Sequence, residues 1–407
     1  MLNRHILVLG NGFDLQAQVP TSFEKFLLNQ IKPYIHTLKP DEKLEDFRKN
    51  LIDKPELNIL LNSQLTFWEF FLLLTNKTNW RDLEGAMREY CLSPEIGGNS
   101  SLKQHFEILN SNYFNSSIKS SEDAYLYFLS KKTSYDSNDY SIQDHIKYLV
   151  SELEITEQHF SDYIDGHIDK NKECKQTYRK NSNLLFKDIF LLLNIDERDV
   201  CDIYTFNYTT PWNLMPNFPQ GHKINIHGKT KEKEHHSGAA KQIIGINKYN
   251  WTSTEEINLV RDFFKIERIN RSPLLNSATL DNLAADLHSH KGAYRSISFF
   301  GHSLNDIDFP QLFSVLDVSN FLSDTSVRIN FLFTNHTKTP SATASGDIRS
   351  KSEQFLSAYL KSRIDQSDEL HIQKLYEILN TQVNFKFIDY NFYSHIDYNF
   401  YSHIDYK

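Results

Sequence analysis

The spacing of apolar residues changes character along this chain. The run from His5 to Leu9 is almost continuously apolar and stops at Gly10-Asn11-Gly12, which predicts a strand buried on both faces. From about residue 22 to 195 the apolar positions recur three and four apart. The segments 41–61, 64–75, 80–91, 141–168 and 182–194 read as helices. Within that region, 94–122 and 131–140 are rich in Ser and Asn and predict loops. The pattern then shortens. Val200 to Phe206, Lys223 to Ile226, Gln242 to Ile246, Ser296 to Phe300 and Val327 to Phe333 are brief runs rich in Ile, Phe, Val or Tyr, bounded by polar residues or glycine, as strands are.

Strands separated by helical stretches predict an α/β fold: a Rossmann-like, mostly parallel sheet with a large helical insertion after its first strand. The boundaries follow from the same pattern. Residues 1–22 and 196–390 form the sheet domain, 23–195 the insertion and 391–407 a tail. The stretches 228–241 and 339–350 lack apolar periodicity and predict surface loops. The tail carries a repeat: Ile388 to His395 recurs from Ile396 to His403, and Ile404-Asp405-Tyr406 begins a third copy. So few and such short copies cannot build a solenoid.

Composition narrows the classes of function. Among 407 residues, 44 Lys and Arg face 52 Asp and Glu, a formal charge of −8, which argues against nucleic acid or an anionic membrane as the partner. The 29 Phe, 21 Tyr and 4 Trp can fill a large core. Cys91, Cys174 and Cys201 are too few and too scattered for a disulfide framework or a four-cysteine zinc ribbon, and no metal is expected. No secretory signal pattern follows the first residues, and the most apolar stretch, Phe67 to Leu74, is under half a membrane span. The chain reads as cytoplasmic.

Four segments offer chemistry, each at the end of a predicted strand, where open α/β sheets bind ligands. Gly10-Asn11-Gly12-Phe13-Asp14 is either a structural turn or a phosphate cradle; Leu15 stands where a dinucleotide fingerprint has its third glycine. Asn207, in Tyr204-Thr205-Phe206-Asn207-Tyr208-Thr209, can orient a hydroxyl, an amide or a water, or cap the turn before Pro211. Ile224-Asn225-Ile226-His227-Gly228 delivers a histidine able to take a proton near neutral pH. Past Gly301, Ser303 can bond a phosphate and Asp306 or Asp308 a ribose diol, while an aspartate there can instead cap the helix opening near Phe309-Pro310.

Taken in order, these motifs, with Trp80-x-Asp82-x-Glu84 between the first two, resemble the AbiH family of bacterial phage abortive-infection proteins over about residues 3–335. More distantly, they resemble the sirtuin-like NAD-binding fold. The paired Cys-x-x-Cys zinc ligands of sirtuin deacylases are missing, and Asp14 stands where those enzymes carry a hydroxyl. The resemblance implies an anti-phage effector that hydrolyses NAD, with NAD as substrate and no metal. It implies Asn207 and His227 at the reaction centre, and Gly10, Asn11, Gly12, Phe13, Asp14, Gly301, Ser303, Asp308 and Asn335 around the nucleotide. Asp14 and Glu84 receive no firm role beyond membership of the motifs. The alternative is a sensor that binds NAD or ADP-ribose without turnover and acts through protein partners. In either case a switch is expected from assembly of copies of the chain, from a defence-system partner protein or from lid movement in 228–241, with the phage-derived trigger left open.

Overall fold

The computed structural model describes residues 3–388 except 20, 40–41, 50, 76–79, 92–100, 111–117, 134–140, 169–170, 215–217, 227–243, 245–257, 259–260, 265–267, 269–293, 305, 335–340 and 365–367. The duplicated tail at 391–407 and the predicted loop 228–241 therefore lie outside the described residues.

Six strands form one sheet: β1 (Arg4–Leu9), β2 (Val200–Thr205), β3 (Lys223–Asn225), β4 (Tyr294–Phe300), β5 (Arg328–Phe333) and β6 (Val383–Phe387). Their spatial order is β3-β2-β1-β4-β5-β6, and every neighbouring pair is parallel. Between β1 and β2 run α1 (Gly12–Gln16), α2 (Phe23–Ile31), α3 (Leu44–Arg48), α4 (Glu56–Leu61), α5 (Phe67–Leu74), α6 (Trp80–Cys91), α7 (Ser101–Asn110), α8 (Ser121–Lys132), α9 (Ile142–Ile168) and α10 (Lys172–Leu193). Helix α11 (Phe309–Ser319) follows β4, and α12 (Ser341–Arg363) and α13 (Asp368–Thr381) follow β5.

The uninterrupted apolar run of β1 is explained by its place. Ile6 and Val8 face one core with Leu312, Leu316, Phe355 and Leu360 from α11 and α12. Leu7 and Leu9 face the other, with Leu185, Phe186 and Ile189 from α10. A central parallel strand covered on both faces favours apolar side chains on both, and the buried His5 at its start is paired with Ser296. Helix α10 is held at its ends by asparagines: Asn171 accepts from the amides of Glu173 and Cys174, and Asn194 closes the last turn with φ of 54°.

The chain divides into two compact units, Met1–Val19 with Asp165–Ala240 and Ser272–Lys407, and Pro20–Ile164 with Lys241–Arg271. The expected insertion, 23–195, thus differs from the helical unit at both ends. Helix α10 packs on the sheet, because its apolar face completes the core around Leu7 and Leu9. Within the helical unit the segment from Lys241 is fastened by a buried ion pair: Arg268 meets both carboxylate oxygens of Glu157 at 2.8 Å, and the Ile244 amide donates to the same carboxylate. Of the expected strand at 242–246, Ile244 is described and bonds to Glu157 of α9, while its other residues lie outside the described residues. The aromatic content fills this unit too; Phe70 and Phe128 stack 4.3 Å apart and Phe26 meets Phe160 edge-on at 5.2 Å.

Two predicted loops hold helices. Ser101–Asn110 is helical inside the Ser- and Asn-rich stretch, and Ser341–Arg363 covers most of 339–350. In α12 the reason is downstream: Phe355, Leu356, Tyr359 and Leu360 are buried in the core and outweigh the poor helix propensity of the serines before them. Strand β6 was not among the predicted strands, although Val383-Asn384-Phe385-Lys386-Phe387 alternates as strands do. Among the described residues, no helix is long and apolar enough to cross a membrane.

Candidate active site at the strand ends

The strand order reverses between β1 and β4: the chain moves outward through β2 and β3, then returns to the far side of β1 for β4, β5 and β6. Ligands of open α/β sheets bind beyond the C-terminal strand ends at such a reversal. The loops after β1, β2 and β4, which carry three of the four predicted motifs, meet at this end.

The glycines of the first loop serve a close approach of backbone to backbone. The Gly10 amide donates to the Phe300 carbonyl and the Gly12 amide to the Gly301 carbonyl, both at 2.9 Å. A Cβ at Gly10 would stand 2.3 Å from the His302 Cα, and one at Gly12 would stand 2.7 Å from the Gly301 Cα. Gly301 itself has φ of 68°, a conformation glycine adopts without strain. The Phe13 amide is also engaged, by the Gly10 carbonyl, and the Phe13 ring is buried in the core 4.8 Å from Phe186. Of the expected cradle, then, the amides of Gly10, Gly12 and Phe13 are committed to the fold, and Phe13 offers its side chain to α10. Asn11 is the N-cap of the neighbouring α1, and its side chain makes no capping bond.

Asn207 is the most telling residue of the site. Its main chain is tied on both sides: its amide donates to Thr205 Oγ1 at 3.0 Å, and its carbonyl accepts from Asn225 Nδ2 at 3.0 Å. Asn225 also donates to the Thr209 carbonyl, so one side chain of β3 braces the whole turn after β2. The Asn207 side chain is 1% exposed, yet neither Oδ1 nor Nδ2 has a hydrogen-bond partner among the described residues. A buried amide left so costs about 1–3 kcal/mol, a cost natural folds accept where a ligand or an ordered water completes the bonding.

Beneath that turn lies Asp14, fully buried. Thr209 Oγ1 donates to its carboxyl oxygens, and the Tyr178 hydroxyl of α10 stands 3.1 Å from Asp14 Oδ1 and 2.8 Å from Thr209 Oγ1. Burial pushes the Asp14 carboxyl up to about 7, against the opposing pull of the bonds from Thr209 and Tyr178. Burial also holds the Tyr178 phenol well above its ordinary range.

The loop after β4 contributes a histidine that sequence reasoning passed over. His302 Nδ1 accepts from the Leu304 amide at 2.9 Å, which places the proton of the neutral ring on Nε2. Nε2 faces Asp308 Oδ2 at 3.5 Å, and the ring packs edge-on against Phe206, centroids 4.4 Å apart. The pair therefore spans from the predicted Asp308 to the turn that carries Asn207. The signal for it was the Gly-His-Ser motif, in which Ser303 drew attention. Ser303 is exposed, while His302 is turned inward, and Leu304 follows with φ of 51°. Asp308 precedes α11 without making a side-chain cap bond, so the expected capping role is not the one it has. His227 and Asn335 lie outside the described residues. Glu84 is buried in α6 of the helical unit. No group of three or more His, Cys, Asp or Glu among the described residues could hold a metal ion.

A six-stranded parallel sheet in the order 3-2-1-4-5-6, with polar side chains gathered beyond the ends of β1, β2 and β4, defines an α/β protein of Rossmann-like architecture. Within that class the chain belongs to the AbiH family, described as bacteriophage abortive infection, whose family model matches residues 6–333. Searches of curated proteins and of solved structures gave no match.

Proposed function

We propose that the chain acts in phage abortive infection by cleaving NAD to nicotinamide and ADP-ribose at the strand ends of its parallel sheet. The family supplies the biological setting. The chemistry is carried by one observation, the buried Asn207 amide with both of its polar atoms unpartnered among the described residues. Such a group suits a ligand that offers one donor and one acceptor, as a ribose hydroxyl or a carboxamide does.

On this reading Asn207 orients the ribose or the attacking water. As the glycosidic bond breaks, its electron pair leaves with nicotinamide, and water adds to the ribose carbon. His227 takes the proton of that water. In the register of the sheet Thr205 pairs with Asn225, and Asn207 and His227 each follow two residues further along the sequence. General base assistance of this kind contributes about 10²–10⁴ in rate. With the Gly10, Gly12 and Phe13 amides committed to the fold, the diphosphate falls to the exposed Ser303, and the adenosine ribose to Asp308 or Asn335.

The test is to incubate the purified protein with NAD and follow nicotinamide and ADP-ribose by chromatography, with Asn207→Ala and His227→Ala in parallel. Release by the wild type and its loss in both folded variants is the expected result. Saturable binding of NAD that stays intact, with NAD level in infected cells that are nonetheless protected, would replace the hydrolase with a nucleotide sensor.

A further inference from the structure

The site contains a buried acid that the proposed chemistry does not use. We propose that Asp14 is a positioning residue: acting through Thr209, it fixes the turn that presents the Asn207 amide, and it does so without touching the ligand.

The geometry leads there stepwise. Asp14 closes the sequence motif after β1, but its carboxyl group is fully buried, facing Thr209 and Tyr178. Thr209 is two residues beyond Asn207. Its hydroxyl is held by Asp14 from below, and its carbonyl is held by Asn225, the same side chain that holds the Asn207 carbonyl. The turn is thus clamped at both ends, once through the backbone by β3 and once through a side chain by α1. Remove the lower clamp and Thr209 keeps its carbonyl bond but loses the fixed side chain that sets the rotation of the turn.

The three hydroxyl and carboxyl groups form a closed triangle, with separations of 2.7, 2.8 and 3.1 Å. With Asp14 ionised, Tyr178 donates to Thr209 and Thr209 to Asp14. With Asp14 neutral, its own proton goes to Thr209, Thr209 donates to Tyr178, and Tyr178 donates back to Asp14. Every member is satisfied either way, which is how so buried a carboxyl group can serve as a fixed support. Tyr178 is the titratable group within hydrogen-bond reach of Asp14 among the described residues. Its phenol stays protonated, so the triangle exchanges a single proton.

The idea rests on Asn207 as the ligand-contacting residue, and its test separates the two. Hydrogen exchange of the full chain, read at the amides of 205–210 and of β2, is compared among wild type, Asp14→Ala, Asp14→Asn, Thr209→Val and Thr209→Ser. Asp14→Ala and Thr209→Val are expected to speed exchange at 206–210 by about tenfold while β2 is unchanged. Asp14→Asn and Thr209→Ser keep a bond across the same gap and are expected to restore slow exchange. Calorimetric titration with NAD and with ADP-ribose then shows affinity falling about tenfold in the first pair and recovering in the second. A folded Asp14→Ala or Thr209→Val with wild-type exchange at 206–210 overturns the proposal. If Asp14→Ala does not fold, the Thr209→Val and Thr209→Ser pair decides. If the wild type binds neither nucleotide, the ligand reading of Asn207 fails, while the exchange comparison still decides whether Asp14 positions the turn.

Discussion

The hydroxyl of Thr209 lies 2.7 and 2.8 Å from the two carboxyl oxygens of Asp14, across 195 residues of sequence. This contact joins the loop after β1 to the turn after β2, and it makes the stability of the sheet unit depend on pH in a defined direction. An isolated aspartate titrates near 3.8, whereas burial raises Asp14 to about 7. Between those values the folded chain holds a proton that the unfolded chain has released. The contribution of Asp14 is therefore full below about pH 4 and lost as pH rises through about 7. The integrated change is roughly 4 kcal/mol. Urea unfolding of wild type and Asp14→Asn at pH 5 and pH 8 should show the wild type losing stability relative to the variant at the higher pH. An equal pH response in both proteins would refute the assignment.

In the helical unit the sign is opposite. Burial lowers His105 to about 4; burial, joined by the charge of His105, lowers His145 to about 3. Here the unfolded chain binds the extra protons. The stability they contribute is present above about 6.5 and disappears as pH falls through 4. His105→Gln should flatten the acid limb of the unfolding profile by roughly 3 kcal/mol, measured between pH 7 and pH 4.

Gly12→Ala should destabilise the sheet unit by about 1–3 kcal/mol, because the added methyl group meets the Gly301 Cα at 2.7 Å and neither backbone can retreat without losing its bond to the other. Gly85→Ala provides the contrast. Nothing lies within 4 Å of the added carbon in α6, so the helix gains about 0.5–1 kcal/mol. Chemical denaturation of both variants distinguishes the glycine needed for contact from the one that is merely tolerated.

Arg268→Met should cost about 3–5 kcal/mol, since it removes the charge that both Glu157 oxygens face in a buried setting. The loss should be local first. Hydrogen exchange at the Ile244 amide, which donates to the same carboxylate, should quicken before α9 as a whole responds. An unchanged Ile244 amide in the folded variant would show that the ion pair does not fasten this segment.

Much of the sheet was legible because its strands are buried on both faces and announce themselves as apolar runs. Val200 to Phe206 ended one residue from the observed strand, and Trp80 to Cys91 matched a helix end to end. What the sequence hid has a common cause. Helix α12 owes its form to packing through Phe355 and Leu356, which no local preference signals, while β6 alternates as strands do but is only five residues long and is fixed by its pairing with β5. The site was legible as a set of strand ends, not as chemistry. The glycines looked like a cradle because a close approach to a ligand and a close approach to Gly301 require the same missing Cβ. His302 escaped notice because the direction of a side chain cannot be read from a motif.

The central strand has a consequence for the birth of the molecule. Arg4–Leu9 pairs with Val200–Thr205 on one side and Tyr294–Phe300 on the other. A ribosome adding about 5–20 residues per second leaves that apolar segment without its second neighbour for roughly 15–60 s. Throughout that interval the emerging polypeptide carries an unshielded, aggregation-prone ribbon while the helices between mature. Its yield in a cell should therefore depend on holding chaperones and on translation speed more than its final stability would suggest.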